Sequence, residues 1–405
     1  MLSRDIVIVG TGPAGTATAL NVLKTDPAFA GDILLLDKAV HPREKICAGG
    51  LIPHTLDCLD ELDIPLSVPH VRVDRAFVRV PPGREVFCED GGMCSIVRRA
   101  EFDFSLVQAA RTRGAEIREG EKVLELVRES GRVRVVTDKD TYLARVVVGA
   151  DGSGSRVRRQ LVGEDRSPVG KAIMCDIPVA DTIWNGFHAQ RYDFNFLPVS
   201  QGLKGYLWEF PCLIHEVPYV NIGIYSLGDA RLTTTDLHRL LVREIASFKS
   251  QVPSLTPHAS RLKLQAFPIR GYSPGRPLAV PHVVLVGDAA GAEPLMGEGI
   301  SFALEYGKFA AQALTSALRA KHFDFSGYTE TLSRSWLGKK LSRLHLTARL
   351  FYGSTSRLWF AVAARSHRLQ SIGLQWYNGV GGWHERSGWD AMRVLLQSRQ
   401  DRTHG

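Results

Sequence analysis

No run of the 405-residue chain reaches the roughly 18 consecutive apolar residues that a membrane-spanning helix needs, so no transmembrane segment is expected. Paired cysteines are missing too. Cys47, Cys58, Cys88, Cys94, Cys175 and Cys212 are scattered, and none forms a Cys-x-x-Cys pair. Zinc ribbons, ferredoxin-type clusters and thioredoxin chemistry are thereby disfavoured, and free thiols in a reducing compartment are expected. No secretory leader is expected either: Met1–Asp5 passes straight into a strand without a charged region, an apolar core and a small-residue site. A cytoplasmic location is therefore expected. With 44% apolar and 23% charged residues, the composition excludes a disordered or collagen-like chain and leaves enough apolar surface for a sizeable core in two or three domains, or one large one with insertions. Acid is scarce at one end only. Residues 331–405 hold twelve Lys/Arg against three Asp/Glu and five of the seven tryptophans, while the remainder is close to neutral. No zinc finger or aromatic-basic strand motif accompanies this charge, so nucleic acid is not an expected partner.

The chain opens on a dinucleotide pattern. Asp5–Val9 is apolar and β-branched, the text of a buried strand, and runs into Gly10-Thr-Gly12-Pro13-Ala14-Gly15. Helical text follows from Thr16 to Lys24. A second apolar strand, Asp32–Leu36, ends on Asp37 and Lys38. This is a βαβ unit with its acidic residue in place. Gly10 permits the tight turn, Gly12 lets backbone approach a pyrophosphate, and Gly15 lets helix and strand pack closely. The helix N-terminus offers donors and partial positive charge to the phosphates, and Asp37 suits the ribose hydroxyls. Close helix packing alone would account for Gly12 and Gly15, but not for Gly10 or the spacing of Asp37.

Two further signals follow in order. Short alternating strands at Lys122–Val127, Val133–Thr137 and Tyr142–Val148 lead into Gly149-Ala150-Asp151-Gly152. Much later a buried strand, Val283–Val286, ends on Gly287-Asp288 and leads to Gly297-Glu298-Gly299-Ile300 and a helix. Each alone fits an ordinary turn. Together and in this order they resemble the FAD-dependent monooxygenase and reductase superfamily built like p-hydroxybenzoate hydroxylase, over roughly residues 5–320. That resemblance implies FAD, with Pro13, Ala14 and Lys38 in its binding loops. It places Asp151 and Gly152 beside the pyrophosphate, Asp288 on a ribityl hydroxyl, and the Gly299–Ile300 turn at the pyrimidine end of the flavin. Arg99, which opens an amphipathic helix, would contact the ribityl and phosphate region. No second G-x-G-x-x-G follows a strand, so NADPH is expected to dock transiently, or a reduced protein donor to supply the electrons.

Between Ser155 and Ser273 the text turns to short aromatic strands, read as an antiparallel sheet forming the floor of a substrate cavity. In Gly205-Tyr206-Leu-Trp208-Glu-Phe210-Pro211 the three aromatics alternate and share one strand face. Such a stripe fits a plain core as well as a ligand wall. The segment resembles the Tyr-x-Trp-x-Phe-Pro signature of the geranylgeranyl reductase family. Lys45-Ile-Cys47-Ala48-Gly49-Gly50 and Pro294–Ile300 resemble that family's flavin-loop segments, with Ala48 replacing the usual glycine and adding one methyl beside the flavin. The family resemblance implies saturation of isolated double bonds in an isoprenoid lipid, quinone or pigment. It makes Tyr206, Trp208, Phe210 and Pro211 substrate-binding, Cys47 and Tyr206 candidate catalytic groups, and Cys47, Ala48 and Gly49 part of the FAD loop. An unactivated alkene needs a proton on one carbon as hydride reaches the other; Cys47, Tyr206 and a water are the candidate acids. The rivals are a monooxygenase or halogenase on the same scaffold, the latter carrying Trp-x-Trp-x-Ile-Pro instead, and a non-catalytic prenyl-lipid-binding flavoprotein.

The expected architecture is α/β: a Rossmann-like FAD-binding domain in two parts (1–154 and 274–330), an inserted antiparallel-sheet substrate domain (155–273), and a basic, Trp-rich helical region (331–405). In the last, Leu332, Trp336, Leu337, Leu341 and Leu344 recur at helical spacing, with Arg334, Lys339, Lys340 and Arg343 at other positions. This composition fits either a helical cap over the substrate tunnel or contact with the inner membrane face as a peripheral protein. Nothing in the sequence assigns an oligomeric state.

Overall fold

The computed structural model describes residues 1–163, 169–179, 187, 189–228, 231–251, 262–365 and 367–378. Two eight-stranded sheets organise them. The first holds β1 (Leu2–Val9), β2 (Ile33–Leu36), β6 (Glu116–Arg118), β7 (Val123–Glu129), β8 (Arg132–Thr137), β9 (Thr141–Gly149), β15 (Ala279–Val280) and β16 (Val283–Leu285). Its order is β15-β16-β9-β1-β2-β6, and the β7–β8 hairpin hangs from β9. β1 pairs in parallel with both β2 and β9. Ile6–Val9 of β1, Val146–Val148 of β9 and the whole of β2 are apolar and buried, because both faces of a parallel sheet are covered there. Helix α1 (Pro13–Thr25) and helix α5 (Ile300–Ala320) cross at Gly307, where an added Cβ would come within 2.7 Å of Ala17.

The second sheet holds β3 (Gly50–Leu51), β4 (His70–Val80), β5 (Arg84–Val97), β10 (Gly170–Pro178), β11 (Arg191–Asn195), β12 (Gly205–Ile214), β13 (Val217–Ser226) and β14 (Gln265–Ile269), in the order β14-β10-β13-β12-β11-β4-β5-β3. Sheet membership thus divides the chain differently from the expected boundary at residue 155. Residues 50–97 belong to this sheet, because β4 pairs in parallel with β11 more than a hundred residues later. One face carries helix α4 (Thr234–Gln251), whose Leu237, Leu241, Ile245 and Phe248 pack on Ile173, Leu207, Ile222 and Ile224. The other face looks toward the C-terminal helices.

Helix α2 (Pro53–Glu61) packs against α5, and helix α3 (Arg99–Thr112) packs against α1. The C-terminal region is helical as expected: α6 (Tyr328–Arg334), α7 (Trp336–Phe351), α8 (Ser356–Ala363) and α9 (His367–Asn378). The single periodic run read from Leu332 to Leu344 breaks at Ser335, whose hydroxyl accepts from Gly338 N–H and starts α7. Trp383, Trp389 and the basic residues beyond them lie outside the described residues. All six cysteines are free, and no described helix is long and apolar enough to cross a membrane.

Candidate functional site

Two cavities share one partition. The larger, about 700 Å³, opens at the carboxyl ends of β1 and β9. Gly10 has φ +105°, and a Cβ there would sit 2.3 Å from the Ala150 carbonyl oxygen, so only glycine closes this turn. No side chain caps α1, which leaves its first-turn N–H groups directed at the cavity. Asp37 locks the turn: its carboxylate accepts from Thr11 N–H (2.9 Å), the Thr11 hydroxyl (2.7 Å) and Ala39 N–H (2.9 Å).

Of the expected cofactor residues, Gly10, Gly12, Pro13, Ala14, Asp37, Lys38, Cys47, Arg99, Asp151, Gly152, Gly287, Asp288, Gly299 and Ile300 line this cavity. Gly15, Ala48 and Gly49 do not. Gly15 packs against the Gly10 carbonyl, and Gly49 (φ +82°) lets the loop touch Val97, where a Cβ would meet the carbonyl oxygen at 2.0 Å. Ala48 packs against the core. Arg99 is fixed by a two-pronged bond to the fully buried Asp103 (2.7 and 2.9 Å). Asp151 caps the following turn, accepting from Ser155 Oγ and from Arg156 and Val157 N–H; burial nonetheless pushes its carboxyl up.

Sequence reasoning named Lys38 and Arg99 but missed five further cations. Arg43, Lys45, Lys122, Arg156 and Arg159 also line the cavity, giving seven basic side chains against five acidic ones. Burial pushes Lys45 down to about 7, with Arg99 adding to the shift and Asp288 opposing it. An uncapped helix N-terminus, a glycine cradle and a cationic excess fit a dinucleotide pyrophosphate, with Asp37 at the ribose end.

The smaller cavity, about 370 Å³, lies across the 292–303 segment. Ala292, Gly297, Gly299, Ile300 and Ala303 face the first cavity, whereas Glu293, Leu295, Met296, Glu298 and Phe302 face the second. Its wall is largely apolar: Ala76, Val78, Val80 and Val86 from β4 and β5, Tyr192 and Phe194 from β11 with Phe196 just after it, and Leu344, Phe351, Trp359, Phe360 and Tyr377 from the C-terminal helices.

Tyr206, Trp208, Phe210 and Pro211 line neither cavity. They lie on β12, the strand next to β11, and pack against its rings: Tyr206 meets Phe194 edge-on (5.3 Å) and Phe196 at a tilt (5.4 Å), and Phe210 meets Tyr192 at a tilt (5.1 Å). The motif instead braces both cofactor loops. The Tyr206 hydroxyl donates to the Met296 carbonyl in the partition. Phe210 lies against Gly50, next to the Cys47 loop. Trp208 Nε1 donates to Asn221 (2.7 Å), which bonds Asp176 (2.6 Å), which holds Arg98 (2.8 Å), whose other arm reaches Glu44 (3.0 Å) on the cofactor cavity. Burial pushes the Tyr206 phenol well up, so it is a poor acid as well as an occupied donor.

The helix start at Gly299–Ile300 is also already served. Glu298 accepts from Ile300 N–H (3.1 Å), Ser301 N–H (3.0 Å) and Ser301 Oγ (2.6 Å). Its neighbour Glu293 accepts from Leu295 and Met296 N–H (2.6 Å each), yet burial pushes it up to about 7. Lys340 was expected off the apolar face of its helix. It sits on the buried face with Leu337, Leu341 and Leu344 and lines the apolar cavity, and burial pushes its amine down.

Comparison with known proteins agrees with this geometry. Residues 3–330 match the FAD binding domain family. The menaquinone reductase of Mycolicibacterium smegmatis is 32% identical over 77% of this chain and 76% of its own length. The geranylgeranyl diphosphate reductase of Rhodobacter capsulatus is 32% identical over 79% of this chain and 77% of its own. Among solved structures, a geranylgeranyl bacteriochlorophyll reductase-like protein from Thermoplasma acidophilum superposes with a TM-score of 0.73 at 21% identity, covering 93% of this chain and 96% of that one. The flavin-dependent brominase Bmp2 reaches the same TM-score at 16% identity, covering 99% and 100%. The chain belongs to the geranylgeranyl reductase family of FAD-dependent oxidoreductases, within the p-hydroxybenzoate hydroxylase-like superfamily.

Proposed function

We propose that the chain saturates isolated C=C bonds of an isoprenoid chain at the expense of reduced FAD. The supporting observation is the partition: an apolar cavity separated from the cofactor cavity by a single segment, 292–303. Bound and reduced, FAD supplies the hydride that such a saturation consumes, with NADPH or a reduced protein as the electron source. The chain's own contribution is positional. Aromatic and aliphatic walls exclude water and hold the alkene in one place, which gives the largest gain for a reaction of this kind. Ring faces steady transient positive charge by about 0.5–2 kcal/mol each, little against a barrier reduction of at least about 8 kcal/mol. We assign the proton to Glu293, which lines the apolar cavity and whose carboxyl burial pushes up to about 7. Cys47 stands on the cofactor side with Arg99.

The test is anaerobic incubation of the yellow, dithionite-reduced protein with a panel of isoprenoids. A mass gain of two per reduced double bond is the expected result. No gain across the panel refutes the reading. Oxygen uptake driven by NADPH and stimulated by an aromatic substrate favours a monooxygenase or halogenase instead, and tight lipid binding without turnover a non-catalytic flavoprotein.

We further propose that the C-terminal helices do both things expected of them: they cap the cavity and touch an anionic lipid surface. Phe351, Trp359 and Phe360 line the cavity, while Leu346, Leu350 and Leu358 on the same two helices are exposed with Arg349 and Arg357 beside them. Replacing the three leucines with glutamine should lower co-sedimentation with anionic vesicles several-fold at low salt and leave bound FAD unchanged. Removing the whole region is a poorer test, because Leu337, Leu341, Leu344 and Phe360 belong to the core. Unaltered co-sedimentation of the triple variant removes the surface role.

A further inference from the structure

Lys340 is a buried cation without an acceptor. It is 3% exposed and lines the apolar cavity. Among the described residues its ammonium makes no hydrogen bond or ion pair; it lies over the ring faces of Phe302 (5.2 Å) and Trp336 (6.0 Å). An ammonium carries three donors, and a buried donor left unmet is costly. The carboxylates on the same cavity do not meet them. Glu293 is taken by the backbone N–H groups of the partition, and Glu298 by the start of α5. A ligand oxygen in the cavity can supply the acceptor.

We infer that Lys340 anchors the substrate through an oxygen atom, and that the substrate is a prenylated molecule with a neutral, oxygen-bearing head of the quinone type. This rests on the reading of the apolar cavity as the isoprenoid site and narrows it. A pure hydrocarbon leaves Lys340 unmet. A diphosphate brings at least two negative charges into a low-dielectric space where Lys340 is the one basic lining residue among the described ones, so part of that charge stays unmatched. A carbonyl oxygen accepts the bond and adds no charge. The flat faces of Phe194, Phe351 and Phe360 suit a planar ring, and about 370 Å³ is at the small end of ligand sites, enough for a head and the start of its tail rather than a whole polyprenyl chain. Because the same cavity abuts the cofactor partition, the reacting bond lies close to the head.

The experiment is equilibrium binding to the holoenzyme of three probes: a naphthoquinone with a short prenyl chain, geranylgeranyl diphosphate, and squalene. Wild type should bind the quinone tightest. Lys340→Met should weaken the quinone about tenfold or more and leave squalene unchanged. Lys340→Gln, which keeps a donor, should recover part of the loss; a variant that had merely collapsed would lose squalene too, and Lys340→Gln would recover nothing. Quinone binding unaffected by Lys340→Met overturns the inference, as does tightest binding of the diphosphate, or an equal loss for squalene without recovery in Lys340→Gln. Saturation is scored separately on the same mixtures. Lys340-dependent quinone binding without any mass gain keeps the anchor and removes the reductase reading.

Discussion

Gly10→Ala is expected to give a colourless protein. The backbone at Gly10 has φ +105°, a region that costs an L-residue about 1–3 kcal/mol. The added methyl would also lie 2.3 Å from the Ala150 oxygen and 2.7 Å from its carbonyl carbon. Neither atom can yield, because Ala150 N–H is bonded to the Val9 carbonyl and Gly10 N–H to the Leu36 carbonyl, so the turn is pinned to three adjacent strand ends. The turn must open, and with it the alignment of α1 on the cofactor. Gly12→Ala is the control. Gly12 has φ −70°, and its Cβ would sit 3.6 Å from the Arg43 guanidinium, an ordinary contact. That variant should fold with normal thermal stability and bind FAD more weakly. The measurement is flavin absorbance per protein together with the melting temperature. A yellow Gly10→Ala protein of normal stability would show that the turn does not govern cofactor binding.

How much of this was legible in the sequence follows from how local each signal is. The β1–α1–β2 unit was legible residue by residue because glycine spacing, helix start and acid all fall within forty positions, and the backbone closes that unit on itself. The partner of Asp37 is Thr11, inside the same motif. The aromatic stripe of β12 was legible as a stripe, but period-two alternation says only that three rings share a face. Two strands in register, β11 and β12, carry such stripes, and their order relative to the cavity is set by β4, which comes from residues 70–80. No local pattern announces that pairing. Gly223 shows the same limit. It reads as a weak point in a strand, yet the Trp208 indole fills its side-chain space, with ring atoms 2.1 Å from where a Cβ would be. The buried lysines were the hardest to see. Lys340 follows Lys339 in a basic helix and reads as solvated; its burial is decided by α7 settling against Phe302 of α5. Charged residues look alike in sequence, and only the tertiary arrangement separates the exposed from the enclosed.

Lys45 carries the second large expectation: FAD affinity should fall as pH rises above about 7, and Lys45→Met should abolish the fall. Burial is the main cause that pushes Lys45 from an ordinary 10.5 to about 7, so in the folded chain it is largely neutral by about pH 8. For stability the sign is fixed. A depressed lysine leaves the unfolded chain binding more protons between about 7 and 10.5, so its burial penalty is present below about 7 and is relieved as pH rises. Binding runs the other way. A dinucleotide pyrophosphate or a reduced flavin is anionic and favours the charged ammonium, so binding takes up a proton wherever Lys45 is otherwise neutral. Affinity is therefore greatest below about pH 7 and declines above it, by up to about tenfold per unit. Loss of a charge-assisted bond should cost Lys45→Met about ten- to a hundredfold in affinity at pH 7. The other groups facing Lys45 are Arg99, Asp103, Asp288 and the Cys47 side chain, and all remain in the variant. Flavin fluorescence titrations from about pH 6 to about pH 9 separate the cases. A slope that survives in Lys45→Met belongs to those neighbours, and Lys45 is then no part of the cofactor's binding charge.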